Sequence, residues 1–215
     1  MQSRKTLLTI AAIDGLVYIL LDSFLLQDSM HGTWWGAILK TIPIWIFFYL
    51  VLTTVRTTEG KLVATGILFG SGGDVLLALG HFVPGLVSFL IGHLFFIPAW
   101  LRRFQFRNDR LLFSSAILIL AVGLGIWLGP SLGGFAIPVY AYVAVISVMS
   151  ALSFLRTRNS WVLPIGTVLF VVSDAIIAIN KFHSPVILAG LLVMGTYYAA
   201  QACIALGFIS EQSEK

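Results

Sequence analysis

The chain has 215 residues, of which 59% are hydrophobic and 10% charged, and its 13 basic and 9 acidic residues give a formal net charge of +4. Soluble domains are about 45–50% apolar and about 25% charged. With a mean hydropathy of +0.98, the composition excludes a soluble enzyme of this length and excludes disorder; the surplus apolar surface needs lipid as its solvent. The positive charge forms no basic patch on a folded polar face, which argues against nucleic acid as a partner and for membrane orientation.

In chain order, apolar runs occupy 6–26, 33–54, 62–80, 83–101, 111–128, 135–155, 161–180 and 184–208. Most match the length of about 20 residues that crosses a bilayer as a helix. They are too long for the ten-residue alternating strands of an outer-membrane barrel. The breaks carry turn or charge signals, among them Gly80-His81, Arg102 to Arg110 and Gly129 to Gly134. The expected fold is an all-α polytopic membrane protein of eight transmembrane helices, a single integral-membrane domain over 1–215. Arg4 and Lys5 precede the first run as in a signal peptide, but the run exceeds the usual h-region of about 7–15 residues and has no clear cleavage site, so it reads as the first helix. The lone Cys203 excludes an internal disulfide and a cysteine cluster for zinc.

With the N-terminus inside, Arg4, Lys5, Arg56, Lys61, Arg102, Arg103, Arg107, Arg110, Arg156, Arg158 and Lys215 fall on the cytoplasmic side. Lys181 alone falls on the other, and Lys40 lies within a span. This asymmetry places both termini in the cytoplasm and makes the number of spans even.

The third and seventh spans align without a gap. Gly66 precedes Asp74, and Gly166 precedes Asp174, at the same spacing, and each aspartate leads to an alanine, Ala78 or Ala178. The second and sixth spans share Ile42-Pro43 and Ile137-Pro138. Matched spans run in the same direction, which suggests a parallel 4+4 repeat with halves 1–104 and 105–215. Glycines that serve helix packing at similar spacing are the simpler alternative.

An ionisable side chain in the bilayer is costly and needs a reason. The candidates are Asp14, Asp22, Lys40, Asp74, His93 and Asp174. At about 1.5 Å per residue, Asp74 and Asp174 both lie roughly 18–20 Å above the cytoplasmic ends of their helices. His93 falls near the midplane, Lys40 and Asp22 nearer the outer surface, and Tyr197, Tyr198 and Gln201 near the middle of the last span. Structural alternatives exist for each: an Asp22–Lys40 ion pair, a hydrogen-bonded core histidine, tyrosines with only a polar tip. Asp74 and Asp174 resist such readings best, being deep and equivalent. His31, His81 and His183 read as ordinary outer-loop residues. One buried histidine and no usable cysteine supply a catalytic zinc site poorly.

Lys40-Thr41-Ile42-Pro43, Gly73-Asp74, Gly92-His93-Leu94-Phe95-Phe96, Ser173-Asp174 with Asn180-Lys181-Phe182, and Tyr197-Tyr198-Ala199-Ala200-Gln201 occur in this order along nearly the whole chain. Their ordered set resembles the YhhN family of integral-membrane lysoplasmalogenases. The resemblance implies hydrolysis of the vinyl ether bond of lysoplasmalogen to a fatty aldehyde and glycerophosphoethanolamine or glycerophosphocholine. It implies Asp74 and Asp174 as catalytic residues and a lysophospholipid substrate in the bilayer; the expected location is a bacterial cytoplasmic (inner) membrane. The sixth span has Phe135 where the second has Lys40, so the two halves are not chemically equivalent.

The chemistry fits two carboxyl groups. A vinyl ether is cleaved when its β-carbon takes a proton, which leaves an oxocarbenium ion; water adds, and the hemiacetal collapses to aldehyde and alcohol. Glycosidases meet a related cation with two carboxyl groups in unequal environments. No metal or organic cofactor is needed. Lys40 is the first choice to hold the substrate phosphate and Lys181 the second, while His93, Tyr197 and Gln201 are suited to orient water or the glycerol oxygen; Tyr198, Asp22 and Asn180 complete the candidate substrate-binding set. A small-solute or proton-coupled carrier and a non-catalytic lipid binder are the rival readings.

Overall fold

The computed structural model describes residues 2–157 and 160–213. Among them the structure is helical, apart from one bridge between Phe104 and Arg156. The long helices are α1 (Gln2–Leu20), α2 (Trp34–Thr54), α3 (Thr58–Ala78), α4 (Phe82–Leu101), α5 (Asn108–Leu132), α6 (Ala136–Phe154), α7 (Val162–Phe182) and α8 (Ala189–Ser213). Thr33 and Thr57 cap α2 and α3 by accepting from the N–H groups of Gly36 and Gly60, donors that a first helical turn leaves unpaired. Beyond α1 the chain continues through a π-helical turn, Leu21–Leu25.

Among the described residues seven stretches are long and apolar enough to cross a membrane, where the sequence suggested eight. The difference lies at Asn108–Phe154, a helical stretch of 47 residues. The expected break around 129–134 remains helical. Pro130 continues α5, and a 3-10 turn at Gly133–Phe135, with Gly133 at φ +50°, joins it to α6. Glycine enters that backbone region without a Cβ clash. α5 and α6 then run antiparallel, with Tyr140 donating to the Gly125 carbonyl and Ser114 to that of Ala151. Large apolar side chains such as Ile126 (72% exposed) and Ile137 (84%) point outward, as suits a lipid-facing surface.

The basic residues gather at one end of the bundle. Arg4 and Lys5 lie in a groove with Val162 and Ser210, which brings the start of α1 to the end of α8. Several of these cations are not loop charges, as the sequence reading had them. Arg156 is 1% exposed; it donates to the Glu211 carboxylate at 2.8 and 3.2 Å and to the carbonyl of Ala99. Arg103 donates to Glu59 at 2.9 Å and to Gln212. Arg110, also 1% exposed, donates to the Ser160 carbonyl and lies over Trp161. The last carbonyls of α4 lack intrahelical donors, and a guanidinium, with five N–H groups, can satisfy these and a carboxylate together. Arg158 and Lys215 lie outside the described residues.

Packing is closest within two hairpins, α3–α4 and α7–α8. A glycine sits at the near approach in each. A Cβ at Gly66 would come within 2.9 Å of the Gly92 carbonyl oxygen, and one at Gly166 within 2.8 Å of the Ile204 nitrogen and 2.9 Å of the Ala200 oxygen. Backbone cannot yield as a side chain does. Gly166→Ala is therefore expected to destabilise the protein by about 1–3 kcal/mol, the usual cost of overpacking. Gly123→Ala, where the added carbon meets open space, should be close to neutral. Thermal unfolding of both variants in one detergent checks this.

Candidate active site

Pro43 lies inside α2 and has no N–H to offer the preceding turn. In that turn, Tyr198 from α8 donates to the Lys40 carbonyl at 2.8 Å. The Lys40 side chain turns inward, and its Nζ stands 3.2 Å from Oδ1 of Asp74 on α3. Tyr197, the neighbour of Tyr198, donates to the other carboxylate oxygen of Asp74 at 2.5 Å, and Gln201, one turn further along α8, donates to the Tyr197 hydroxyl at 3.2 Å. Asp74 is 1% exposed. Three helices thus meet at one carboxylate whose two oxygens are both taken.

Asp174 on α7 is surrounded differently. The Tyr142 hydroxyl, from α6, donates to its Oδ2. That hydroxyl is in turn 3.0 Å from Nε2 of His93 on α4. Asp174 and Tyr142 line a cavity of about 60 Å³ walled mainly by apolar side chains, enough for a few waters. Asp174 is within electrostatic reach of both Asp74 and Lys40, but the two groups hydrogen-bond to different partners. Phe170 stands between them, its ring centroid 4.8 Å from that of His93 and 5.3 Å from that of Tyr197, with Phe89 6.0 Å from both Phe170 and Tyr197.

The structure therefore divides the candidate residues into two groups. Lys40, Tyr197, Tyr198 and Gln201 gather at Asp74; His93 joins Asp174 through Tyr142. Asp22, in the π-helical turn after α1, pairs with His31 at 3.0 Å and lies 3.3 Å from the Tyr18 hydroxyl, so the Asp22–Lys40 pair weighed from the sequence does not form. Asn180 accepts from the Val186 N–H and shapes the loop after α7. Tyr142 and His31 are site neighbours that the sequence reading did not select. The signal for Tyr142 was its hydroxyl on the sixth span; for His31 it was an imidazole a short loop away from a buried aspartate. Among the described residues no group of three or more His, Cys, Asp or Glu is placed to hold a metal. A groove of about 830 Å³, lined by Thr41, Trp45 and Ser71 among others, includes none of the candidate residues.

The Lys40–Asp74 pair makes a testable structural claim. Lys40→Met removes the cation and leaves a buried carboxylate uncompensated, at an expected cost of about 3–5 kcal/mol, whereas a neutral double variant avoids most of that penalty. Lys40→Met should therefore lower the unfolding temperature sharply, and Lys40→Met/Asp74→Asn should recover most of the loss.

A family model described as the YhhN family matches residues 35–208. A bovine protein named Lysoplasmalogenase TMEM86A is 32% identical over 205 residues, covering 86% of this chain and 82% of that protein. A Mycobacterium tuberculosis protein named Lysoplasmalogenase is 32% identical over 160 residues, covering 70% of this chain and 61% of its own. Human Lysoplasmalogenase TMEM86B is 29% identical over 183 residues, covering 81% and 75%. No solved structure matches. The family match covers Lys40, Asp74, His93, Tyr142, Asp174 and Tyr197, and the chain belongs to the YhhN family.

Proposed function

We infer that the protein is a lysoplasmalogenase, an integral-membrane hydrolase that cleaves the vinyl ether bond of a lysoplasmalogen to a fatty aldehyde and a glycerophospho-alcohol. The observation that carries this reading is the relatedness, over most of the chain, to proteins named for that activity. The site adds a mechanism. Asp174 faces a small apolar cavity, where it is suited to deliver a proton to the β-carbon of the vinyl ether, with Tyr142 and His93 holding its carboxyl in place. Asp74 remains closed behind its lysine and tyrosine. Its negative charge, within reach of Asp174, is suited to stabilise the developing oxocarbenium ion. In this reading Lys40 serves as the counter-ion of Asp74, since its charge is already engaged.

The membrane arrangement forms part of the proposal. A straight helix of 47 residues would reach about 70 Å, more than twice the hydrocarbon thickness of about 30 Å. Counting α5 and α6 as separate crossings gives eight spans and puts both termini on the side of the basic residues, the cytoplasm. A bacterial inner membrane suits that orientation. A 4+4 repeat is supported by one further pattern. Asp74 is met by the helix before it and by the last helix of the second half; Asp174 is met by the helix before it, backed by the last helix of the first half. Reporter fusions at the C-terminus and after Phe135 should report opposite sides of the membrane; the same side for both would break the eight-span arrangement.

If the two carboxyl groups act as acid and counter-charge, Asp74→Asn and Asp174→Asn should each lower aldehyde release by at least about a hundredfold, within the range typical of general acid catalysis. The double variant should lose far less than the product of the two, because groups that act as a unit are not additive. Lysolipid binding should persist in all three. Turnover near normal in a folded single variant would make that aspartate structural.

A further inference from the structure

The end of the bundle opposite the basic residues carries a group of side chains that the mechanism above leaves unused. Lys181 is in the last turn of α7, and its ammonium stands among three phenylalanine rings. Nζ is 4.4 Å from the ring centre of Phe82 and 5.9 Å from those of Phe135 and Phe182. The ring centroids are 5.5 to 6.0 Å apart. The rings come from three places in the chain: the start of α4, the turn between α5 and α6, and the end of α7. Aromatic faces converging on a cation are the standard means of holding ammonium groups. Lys181 is exposed and makes no salt bridge among the described residues.

This cage is continuous with the cavity at Asp174. Phe82 and Phe182 are walls of both. Lys181 follows Asp174 by seven residues, a rise of roughly 10 Å at about 1.5 Å per residue. In a lysoplasmalogen about seven bonds separate the phosphorus from the vinyl carbon that takes the proton, roughly 8 Å when extended at about 1.2 Å per bond. Below the cage, Ala121, Val143 and Ser147 line both the cavity and an outward-facing groove of about 500 Å³ between α5 and α6. A head, a reactive bond and an aliphatic tail thus find, in order, an aromatic cage beside a cation, a carboxyl group and an apolar groove.

We propose that Phe82, Phe135 and Phe182 form the headgroup subsite, where the ammonium of a choline or ethanolamine headgroup replaces that of Lys181 and the displaced lysine pairs with the phosphate. The proposal rests on the lysoplasmalogenase reading for its ligand class. In the free protein Lys181 fills the cage and keeps it from collapsing. When the zwitterionic headgroup arrives, its cation takes the ring faces and its anion takes the lysine, so each charge exchanges one partner for another.

The test uses saturated 1-alkyl lysolipids, which carry an ether that this chemistry does not cleave, bearing phosphocholine, phosphoethanolamine or a bare phosphate. Binding to the wild-type protein in nanodiscs is compared with that to Phe82→Leu, Phe182→Leu and Lys181→Gln. The wild type should bind the two ammonium-bearing ligands about tenfold more tightly than the bare phosphate, a preference of the size that cation–π contacts supply. Either leucine variant should erase that preference and leave bare-phosphate binding within about twofold. Lys181→Gln should weaken the bare-phosphate ligand most, because ammonium-bearing ligands gain an unoccupied cage as they lose the lysine. Equal binding of all three ligands by the wild type, or a preference that survives both leucine changes, overturns the proposal. Aldehyde release from a true lysoplasmalogen by the wild type, measured in parallel, judges the hydrolase reading separately.

Discussion

A carboxylate surrounded by hydrocarbon must find donors or give up its charge, and in this bundle that requirement decides which helices meet. Asp74 draws Lys40 from α2 and Tyr197 from α8 to one point. Asp174 draws Tyr142 from α6, and through it His93 from α4. Six helices are engaged by two side chains. Apolar packing alone has no comparable selectivity in lipid, because the solvent is as apolar as the surfaces it would bring together. Glycine then sets how near the helices can come, at Gly66 against Gly92 and at Gly166 against Ala200.

The two aspartates have unlike surroundings. α2 brings Lys40 to Asp74, while α6 brings Tyr142 to Asp174. That difference leaves one carboxylate with an ammonium partner in a closed setting and the other with neutral donors beside a cavity. Phe170 and Phe89 stand between the two sets, so coupling between them runs through space rather than through a shared hydrogen bond. Such an inequality is what acid catalysis with a stabilising counter-charge requires.

Much of this was legible in the residues. Run length and composition announced a helical membrane protein, and the equal Gly-to-Asp spacing singled out Asp74 and Asp174. The Lys40–Asp74 pair was not legible, because estimated depth favoured Asp22 as the partner of Lys40 and depth says nothing of which way a helix faces. Tyr142 was overlooked because a tyrosine in an apolar run reads as a hydrophobe until its hydroxyl is seen to have a partner. The arginines at 103, 110 and 156 were read as loop charges, since a count by position cannot tell a solvated guanidinium from one that satisfies helix-end carbonyls. The reversal at Gly129 to Gly134 was marked by its glycines; its form was not legible, because a 3-10 turn keeps local helical bonding while changing the direction of the chain.

The buried arginine clasp also bears on where material can leave the bundle. Arg156 with Glu211, and Arg103 with Glu59 and Gln212, tie together the ends of α3, α4 and α8 and the segment after α6. The cavity at Asp174 has Phe82 and Phe182 among its walls, toward the other end of the bundle. In the lysoplasmalogenase reading proposed above, splitting the amphiphile there yields fragments with opposite solvent preferences. The water-soluble fragment has an aqueous face above it, the aldehyde has lipid beside it, and each can depart down its own gradient of solubility without the protein having to open from one side to the other.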